Sequence, residues 1–263
     1  MLLKAIILGV IEGLTEFLPI SSTGHLIIAN KFINFSGDFA NTFTVVIQTG
    51  AILAVIIYFR DKLFPNFNGR LNKLNKDKFF LLWSKVIIGF IPAAFLGLLL
   101  DEYIEARFFN PRTVAFALIF GAILLLYSER KIKKVQVLTI EDISYKKAFM
   151  VGLVQCLALW PGMSRSASTI IGGLFLGFSR EIAAEFSFFL AIPTLLGATA
   201  VKLYKSGFSF TTYEWIITFI GTFVSFIVAL IVIAFFMSYI KKRTFNFFAY
   251  YRILLGLLVL WLL

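Results

Sequence analysis

Cysteine is almost absent from this chain of 263 residues: Cys156 stands alone, which excludes an intramolecular disulfide and any cysteine-based metal cluster. Histidine is equally scarce, with His25 the only one. Acidic residues are few, 14 against 25 Lys and Arg, which leaves a net charge of +11. That excess would suit nucleic acid, but membrane proteins gather Lys and Arg in cytoplasmic loops facing anionic lipid, so no nucleic-acid partner is expected. The N-terminal Met1-Leu2-Leu3-Lys4 and its apolar run lack a small-residue cleavage site and hold Glu12 and Glu16, so the run reads as mature sequence and not as a signal peptide. No ring of like charges marks a pore, and no soluble domain fits beside the apolar segments.

What is abundant is apolar surface. Hydrophobic residues make up 60% of the chain, where a soluble domain is about half apolar. The mean hydropathy is +0.91. Roughly six to eight membrane segments of about 20 residues fit the length. Apolar stretches run over 5–28, 39–59, 79–100, 112–128, 148–176, 183–203, 214–240 and 246–263.

The loops differ in charge. Loop 60–78 holds Arg60, Lys62, Arg70, Lys73, Lys76 and Lys78 against Asp61 and Asp77. Loop 129–147 holds Arg130, Lys131, Lys133, Lys134, Lys146 and Lys147 against three acids, and loop 241–243 is wholly basic. Segment 101–107 carries Asp101, Glu102 and Glu105 against Arg107. Placing basic loops in the cytoplasm forces stretch 148–176 to start and finish on the cytoplasmic side. It therefore reads as a re-entrant hairpin broken at Pro161-Gly162, a backbone tolerated only inside protein or beside a water-filled cavity.

The two halves of the chain resemble each other. The run Gly9 to Ser22 lines up with Gly152 to Ser164 with one residue deleted, which sets Arg165 opposite Thr23 and Glu16 opposite Leu159. Thr42-Phe43-Thr44 matches Glu185-Phe186-Ser187, and Phe109-Asn110 matches Phe245-Asn246. The expected fold is an all-α integral membrane protein forming one domain over 1–263. It comprises two inverted repeats (1–128 and 148–263), six transmembrane helices and two re-entrant helical hairpins that meet tip to tip. Inverted repeats with discontinuous helices place binding sites near the midplane.

Two polar clusters interrupt the apolar pattern, and ionisable groups at membrane depth mark function by default. The first runs from Glu12 to His25. Glu12 and Glu16 share one helical face, where two carboxylates in low dielectric repel unless a divalent cation or an arginine relieves them. The plain alternative is a buried polar pair that fixes packing. Ser21, Ser22, Thr23 and Gly24 follow Pro19, and hydroxyls with free backbone N–H groups at a broken helix suit phosphate, although they would serve equally as helix caps. His25 is placed to act as general acid, general base or nucleophile. The second cluster runs from Pro161 through Ser164, Arg165 and Ser166 to Thr169. A guanidinium matches phosphate oxygens in bidentate fashion, so this cluster reads as a phosphate clamp and not as a snorkelling arginine. Together the two describe phosphoryl chemistry on a membrane substrate.

At these residues the chain resembles the undecaprenyl-diphosphatase family, bacterial membrane enzymes linked to bacitracin resistance. The motifs are Glu12-Gly13-Leu14-Thr15-Glu16 running into Ser21-Ser22-Thr23-Gly24-His25, and Pro161-Gly162-Met163-Ser164-Arg165-Ser166 through Thr169. The likeness extends to Gln48 and to Gln155 through Trp160; Ala167-Ser168 stands where the family often has Gly-Ala. It implies hydrolysis of undecaprenyl diphosphate to undecaprenyl phosphate, the lipid carrier of peptidoglycan precursors, in the bacterial cytoplasmic membrane with the site open to the extracytoplasmic side. By carry-over Ser22 or His25 attacks phosphorus, with Ser22 favoured and Glu16 and His25 activating it. Arg165 stabilises the transition state, Ser21, Thr23, Ser164, Ser166 and Thr169 bind phosphate, and Glu12 with Glu16 holds Mg2+ or Ca2+. The expected partners are a polyprenyl diphosphate and membrane lipids, with a homodimer left open. A polyprenyl-phosphate transporter or flippase is the rival reading, since broken inverted repeats also build transporters.

Overall fold

The computed structural model describes residues 1–65, 73–131, 135–207 and 210–262. Of the loop charges above, Arg70, Lys133 and Lys134, and the side chains of Lys73, Asp101 and Glu105, lie outside the described residues. Among the described residues every regular element is a helix; the one β-type contact is an isolated bridge between Val137 and Phe178.

In chain order the helices are α1 (Leu2–Thr15), α2 (Ser22–Ile33), α3 (Asp38–Val46), α4 (Gln48–Tyr58), α5 (Arg60–Leu63), α6 (Lys73–Phe108), α7 (Pro111–Lys131), α8 (Tyr145–Gln155), α9 (Arg165–Phe175), α10 (Arg180–Lys205), α11 (Thr212–Ile240) and α12 (Asn246–Leu262). A 3-10 turn over Cys156–Leu159 follows α8. Among the described residues five segments are long and apolar enough to cross a membrane: Asp38–Tyr58 (α3 with α4), Lys76–Leu100 within α6, α7, α10 and α11. The last helix, α12, has only 17 residues, about 26 Å at 1.5 Å per residue. Helix starts follow local chemistry. Thr211 and Glu214 form a reciprocal capping box at α11, and Ser179 and Ser144 cap α10 and α8.

The apolar stretches 5–28 and 148–176 are each broken into two short helices. At 14, 12, 11 and 11 residues, α1, α2, α8 and α9 fall short of the roughly 20 residues a membrane crossing needs. Pro19 and Pro161 sit in the two breaks, where a residue without an N–H cannot continue a helix. Within each pair the helices pack on each other.

Packing partners recur between the halves. Helix α1 lies along α11, and α8 lies along α6; α4 packs on α11, and α10 packs on α6. Helix α7 pairs with α12. The first two contacts use the same device. A Cβ on Gly9 would lie 2.6 Å from the Gly221 carbonyl oxygen, and one on Gly152 would collide with the Gly89 carbonyl. Glycine at these two positions lets the backbones approach, as small residues do wherever helices must touch in lipid. The outward faces carry large apolar side chains such as Phe219, Phe235 and Leu98, exposed as lipid contact requires.

Candidate active site

Both broken stretches end in the same unusual turn. Ser21 (φ 71°, ψ 101°) and Ser164 (φ 69°, ψ 119°) have positive φ, a region non-glycine residues rarely enter. Such residues cost on the order of 1–3 kcal/mol and persist where surrounding structure demands them. Each serine caps the helix it precedes: Ser21 Oγ accepts from the N–H of Gly24 (3.4 Å) and Ser164 Oγ from that of Ala167 (3.2 Å). Even the next bond repeats, since His25 Nδ1 lies 2.7 Å from the Ser21 carbonyl and Ser168 Oγ donates to the Ser164 carbonyl at 2.9 Å. These paired caps correct the alignment drawn from sequence. Ser21, not Ser22, matches Ser164, no residue is deleted between Gly9 and the cap, and Arg165 falls opposite Ser22, not Thr23.

The two turns touch. Arg165 Nη2 donates to Glu16 Oε1 at 2.9 Å, and Ser22 Oγ donates to Glu16 Oε2 at 2.8 Å. One carboxylate thus holds a hydroxyl from the first turn and a guanidinium from the second. All three side chains are buried. The other fork of Arg165, Nη1, donates to the Ser187 carbonyl (3.0 Å) and Oγ (3.3 Å), and the guanidinium lies over the Phe17 ring at 5.3 Å. Among the described residues its Nε has no partner. Breaking a buried pair by deleting one ion costs about 3–5 kcal/mol, so the two turns are locked in register by charge.

Other residues named from sequence take different places. Glu12 is completely buried against Glu16, and among the described residues no donor bonds either of its carboxylate oxygens. Ser166 donates to the Phe17 carbonyl (2.8 Å), which pins the second turn to the first. The Thr169 hydroxyl is spent within the protein, against Arg165 O and Ser187 Oγ at 2.9 and 2.7 Å. Thr23 and Ser164 are half-buried. His25 does not bond Ser22; its Nε2 meets the Tyr251 hydroxyl at 2.8 Å.

Sequence reasoning passed over Arg252, Tyr251 and Ser187. Arg252 in α12 is completely buried and bonds five carbonyls: Pro19 of the first turn, Gly162 and Met163 of the second, and Ala117 and Leu118 of α7. A lone arginine in the apolar run 246–263 was the available signal, because such a charge needs a reason. Ser187 and Tyr251 gave no signal, since a hydroxyl in an apolar helix is cheap.

The carboxylates fit a divalent cation only in part. Glu12 offers two buried oxygens that have no donor among the described residues, but both Glu16 oxygens are occupied. Among the described residues no group of three or more His, Cys, Asp or Glu converges. The set suits a cation that takes most of its ligands from substrate phosphate and water, as Mg2+ often does.

A helical membrane protein whose two broken segments bring a hydroxyl, a carboxylate and a guanidinium together in its interior belongs to the class of membrane-embedded proteins built for phosphoryl groups. Comparison with known proteins narrows this. The chain belongs to the family described as bacitracin resistance protein BacA, whose pattern matches residues 5–258. It is 52% identical over 259 residues to undecaprenyl-diphosphatase 1 of Clostridioides difficile, covering 98% of this chain and 94% of that protein. It is 51% identical to the undecaprenyl-diphosphatase of Caldanaerobacter subterraneus, covering 100% and 96%. To the enzyme of that name from Enterococcus faecalis it is 49% identical, covering 98% and 96%.

Proposed function

We propose that this chain hydrolyses undecaprenyl diphosphate to undecaprenyl phosphate and inorganic phosphate, which recycles the lipid carrier of peptidoglycan synthesis. The observation that carries the reading is the shared carboxylate: Glu16 holds the Ser22 hydroxyl and the Arg165 guanidinium at once. Binding alone does not need a hydroxyl poised on a base.

Ser22 Oγ attacks the terminal phosphorus and passes its proton to Glu16. The bond from that phosphorus to the bridging oxygen breaks, and its electron pair leaves on undecaprenyl phosphate. Arg165, which has N–H groups to spare, takes the charge developing on the phosphoryl oxygens. In the second step water adds to the phosphoserine and gives a proton to His25. The bond from phosphorus to Ser22 Oγ breaks, Glu16 returns its proton to Ser22, and His25 releases its own to solvent with the phosphate. Ser21 and Ser164 shape the two caps, and Thr23 with the free N–H groups of the first turn of α2 lines the phosphate site. Ser166 and Thr169 serve by holding the turns together. Glu12 would hold Mg2+ or Ca2+ jointly with the substrate's phosphates; such an ion would neutralise phosphate charge.

The protein sits in the bacterial cytoplasmic membrane as two inverted repeats, 1–128 and 148–263, with two re-entrant hairpins and α12 as a sixth crossing. The matched turns and matched helix pairings support the repeat. The basic loops support a site open to the extracytoplasmic side. A lipid transporter is the second reading, favoured by the pairing of broken helices. Purified protein in detergent decides between them, because a phosphatase releases inorganic phosphate from undecaprenyl diphosphate without a gradient. No release sinks the enzyme reading. Acid-stable phosphoenzyme trapped during turnover is expected for Ser22; an acid-labile adduct would move the attack to His25.

A further inference from the structure

His25 is held from both ends of its ring. Its Nδ1 lies 2.7 Å from the carbonyl oxygen of Ser21, which only accepts, so Nδ1 must carry the hydrogen. In the neutral ring the lone pair is then on Nε2, and its one protein partner is the Tyr251 hydroxyl at 2.8 Å. The two rings are nearly parallel, 8° apart with centroids at 5.6 Å. The pair lines an open apolar groove of about 330 Å³, together with Leu14, Leu18 and Phe247.

The helix that carries Tyr251 is not free to shift. The adjacent Arg252 ties α12 to the carbonyl of Pro19, in the turn that leads into α2, and to Gly162 and Met163 of the other turn. Neighbouring residues of α12 therefore grip the same segment twice, Arg252 at its turn and Tyr251 at its histidine.

We infer that Tyr251 carries the proton to His25: its hydroxyl donates to Nε2 of the Nδ1–H tautomer that the Ser21 carbonyl sets, so it takes the proton of the attacking water as it passes its own to Nε2. This rests on the catalytic part given to His25 above. Removing the hydroxyl while keeping the ring leaves Nε2 without its proton carrier, but spares the packing of α12.

Because His25 is the only histidine, selective 15N labelling reports its ring alone. The expected spectrum of the wild-type protein in detergent is the Nδ1–H tautomer, with resonances that move in Tyr251→Phe; an Nε2–H tautomer overturns the inference without any variant. Kinetics give the second arm. Tyr251→Phe should lower kcat roughly tenfold with KM within twofold, since positioned acid–base groups contribute about 10²–10⁴ in rate. In a His25→Ala background the same substitution should cost nothing further. Wild-type kcat in Tyr251→Phe, or an equal loss on top of His25→Ala, would overturn the inference and leave His25 in place. A His25→Ala variant with full turnover would remove both.

Discussion

Arg165 ties the two turns together and, in the mechanism proposed above, takes phosphoryl charge, and the two parts can be separated. Its guanidinium makes one bond to Glu16 and two to Ser187, at 2.9, 3.0 and 3.3 Å. Arg165→Ala strands the Glu16 carboxylate, which is only 7% exposed. An uncompensated buried charge of this kind costs about 3–5 kcal/mol. A typical margin of stability is about 5–15 kcal/mol, so the variant should fold but melt well below wild type. Its turnover should fall by about 10³-fold or more, on the scale of losing a group that stabilises transition-state charge. Adding Glu16→Gln removes the stranded charge, so the double variant should regain most of the melting temperature and none of the activity. Arg165→Lys keeps a cation beside Glu16 but loses the fork that also reaches Ser187, and it should retain about one to ten per cent of the rate. The assay is phosphate release from undecaprenyl diphosphate in detergent, paired with thermal unfolding of the same samples. Turnover by Arg165→Ala within tenfold of wild type, or recovery of activity in the double variant, would refute the charge-clamp reasoning.

Ser22→Ala should fold normally and fall at least about 10³-fold in turnover with no trappable phosphoenzyme, whereas a serine that only binds would leave a substantial rate. Glu12→Gln should shift the dependence on added Mg2+ or Ca2+ more than Glu16→Gln does, because both Glu16 oxygens are bonded while those of Glu12 have no donor among the described residues; equal shifts in a metal titration would leave Glu12 no special part. Gly152→Leu should destabilise the fold by overpacking, typically about 1–3 kcal/mol and more here because its Cβ meets backbone. The control is Gly97→Ala, whose Cβ would sit 3.5 Å from the flexible end of Leu159 and should not lower the melting temperature.

How much of this was legible without the structure differs from residue to residue. Glu12, Glu16 and Arg165 stood out because charge is costly in an apolar chain, and the structure buries all three beside one another. Pro19 and Pro161-Gly162 announced the breaks for a steric reason that holds in any environment. Register across the turns was not legible to one residue, since it is set by the positive φ of Ser21 and Ser164, and serine carries no such preference in its sequence. Long-range partners were harder still. Nothing local says that Ser187 would meet Arg165 or that Tyr251 would meet His25, because those pairings depend on how α10 and α12 pack. At 17 residues α12 is shorter than a full crossing needs, which is why the number of spans reads differently from sequence and from helix length.

On the repeat proposed above, the match of Ser21 with Ser164 changes what the duplication means for chemistry. With Ser21 matched to Ser164, the first helical residue after each cap is Ser22 in one half and Arg165 in the other. A turn of this shape aims that residue at the junction of the two hairpins, whichever half it comes from. Two identical halves would present two hydroxyls or two cations, and like charges meeting in a buried site would repel. Divergence at this single position supplies a hydroxyl from one side and a cation from the other. Glu16, whose counterpart Leu159 is apolar, then bonds both. The Glu16 carboxylate pairs with the Arg165 guanidinium, and the same carboxylate holds the Ser22 hydroxyl. It follows that Ser22→Arg with Arg165→Ser, which swaps the pair, should keep the ion pair's composition but move the hydroxyl to the half without the Ser21–His25 contact. Its melting temperature should approach that of wild type more closely than either single substitution, while turnover stays lost. A swapped variant that hydrolysed substrate at a wild-type rate would show that the two halves are still chemically interchangeable, and the division of labour drawn here would fall.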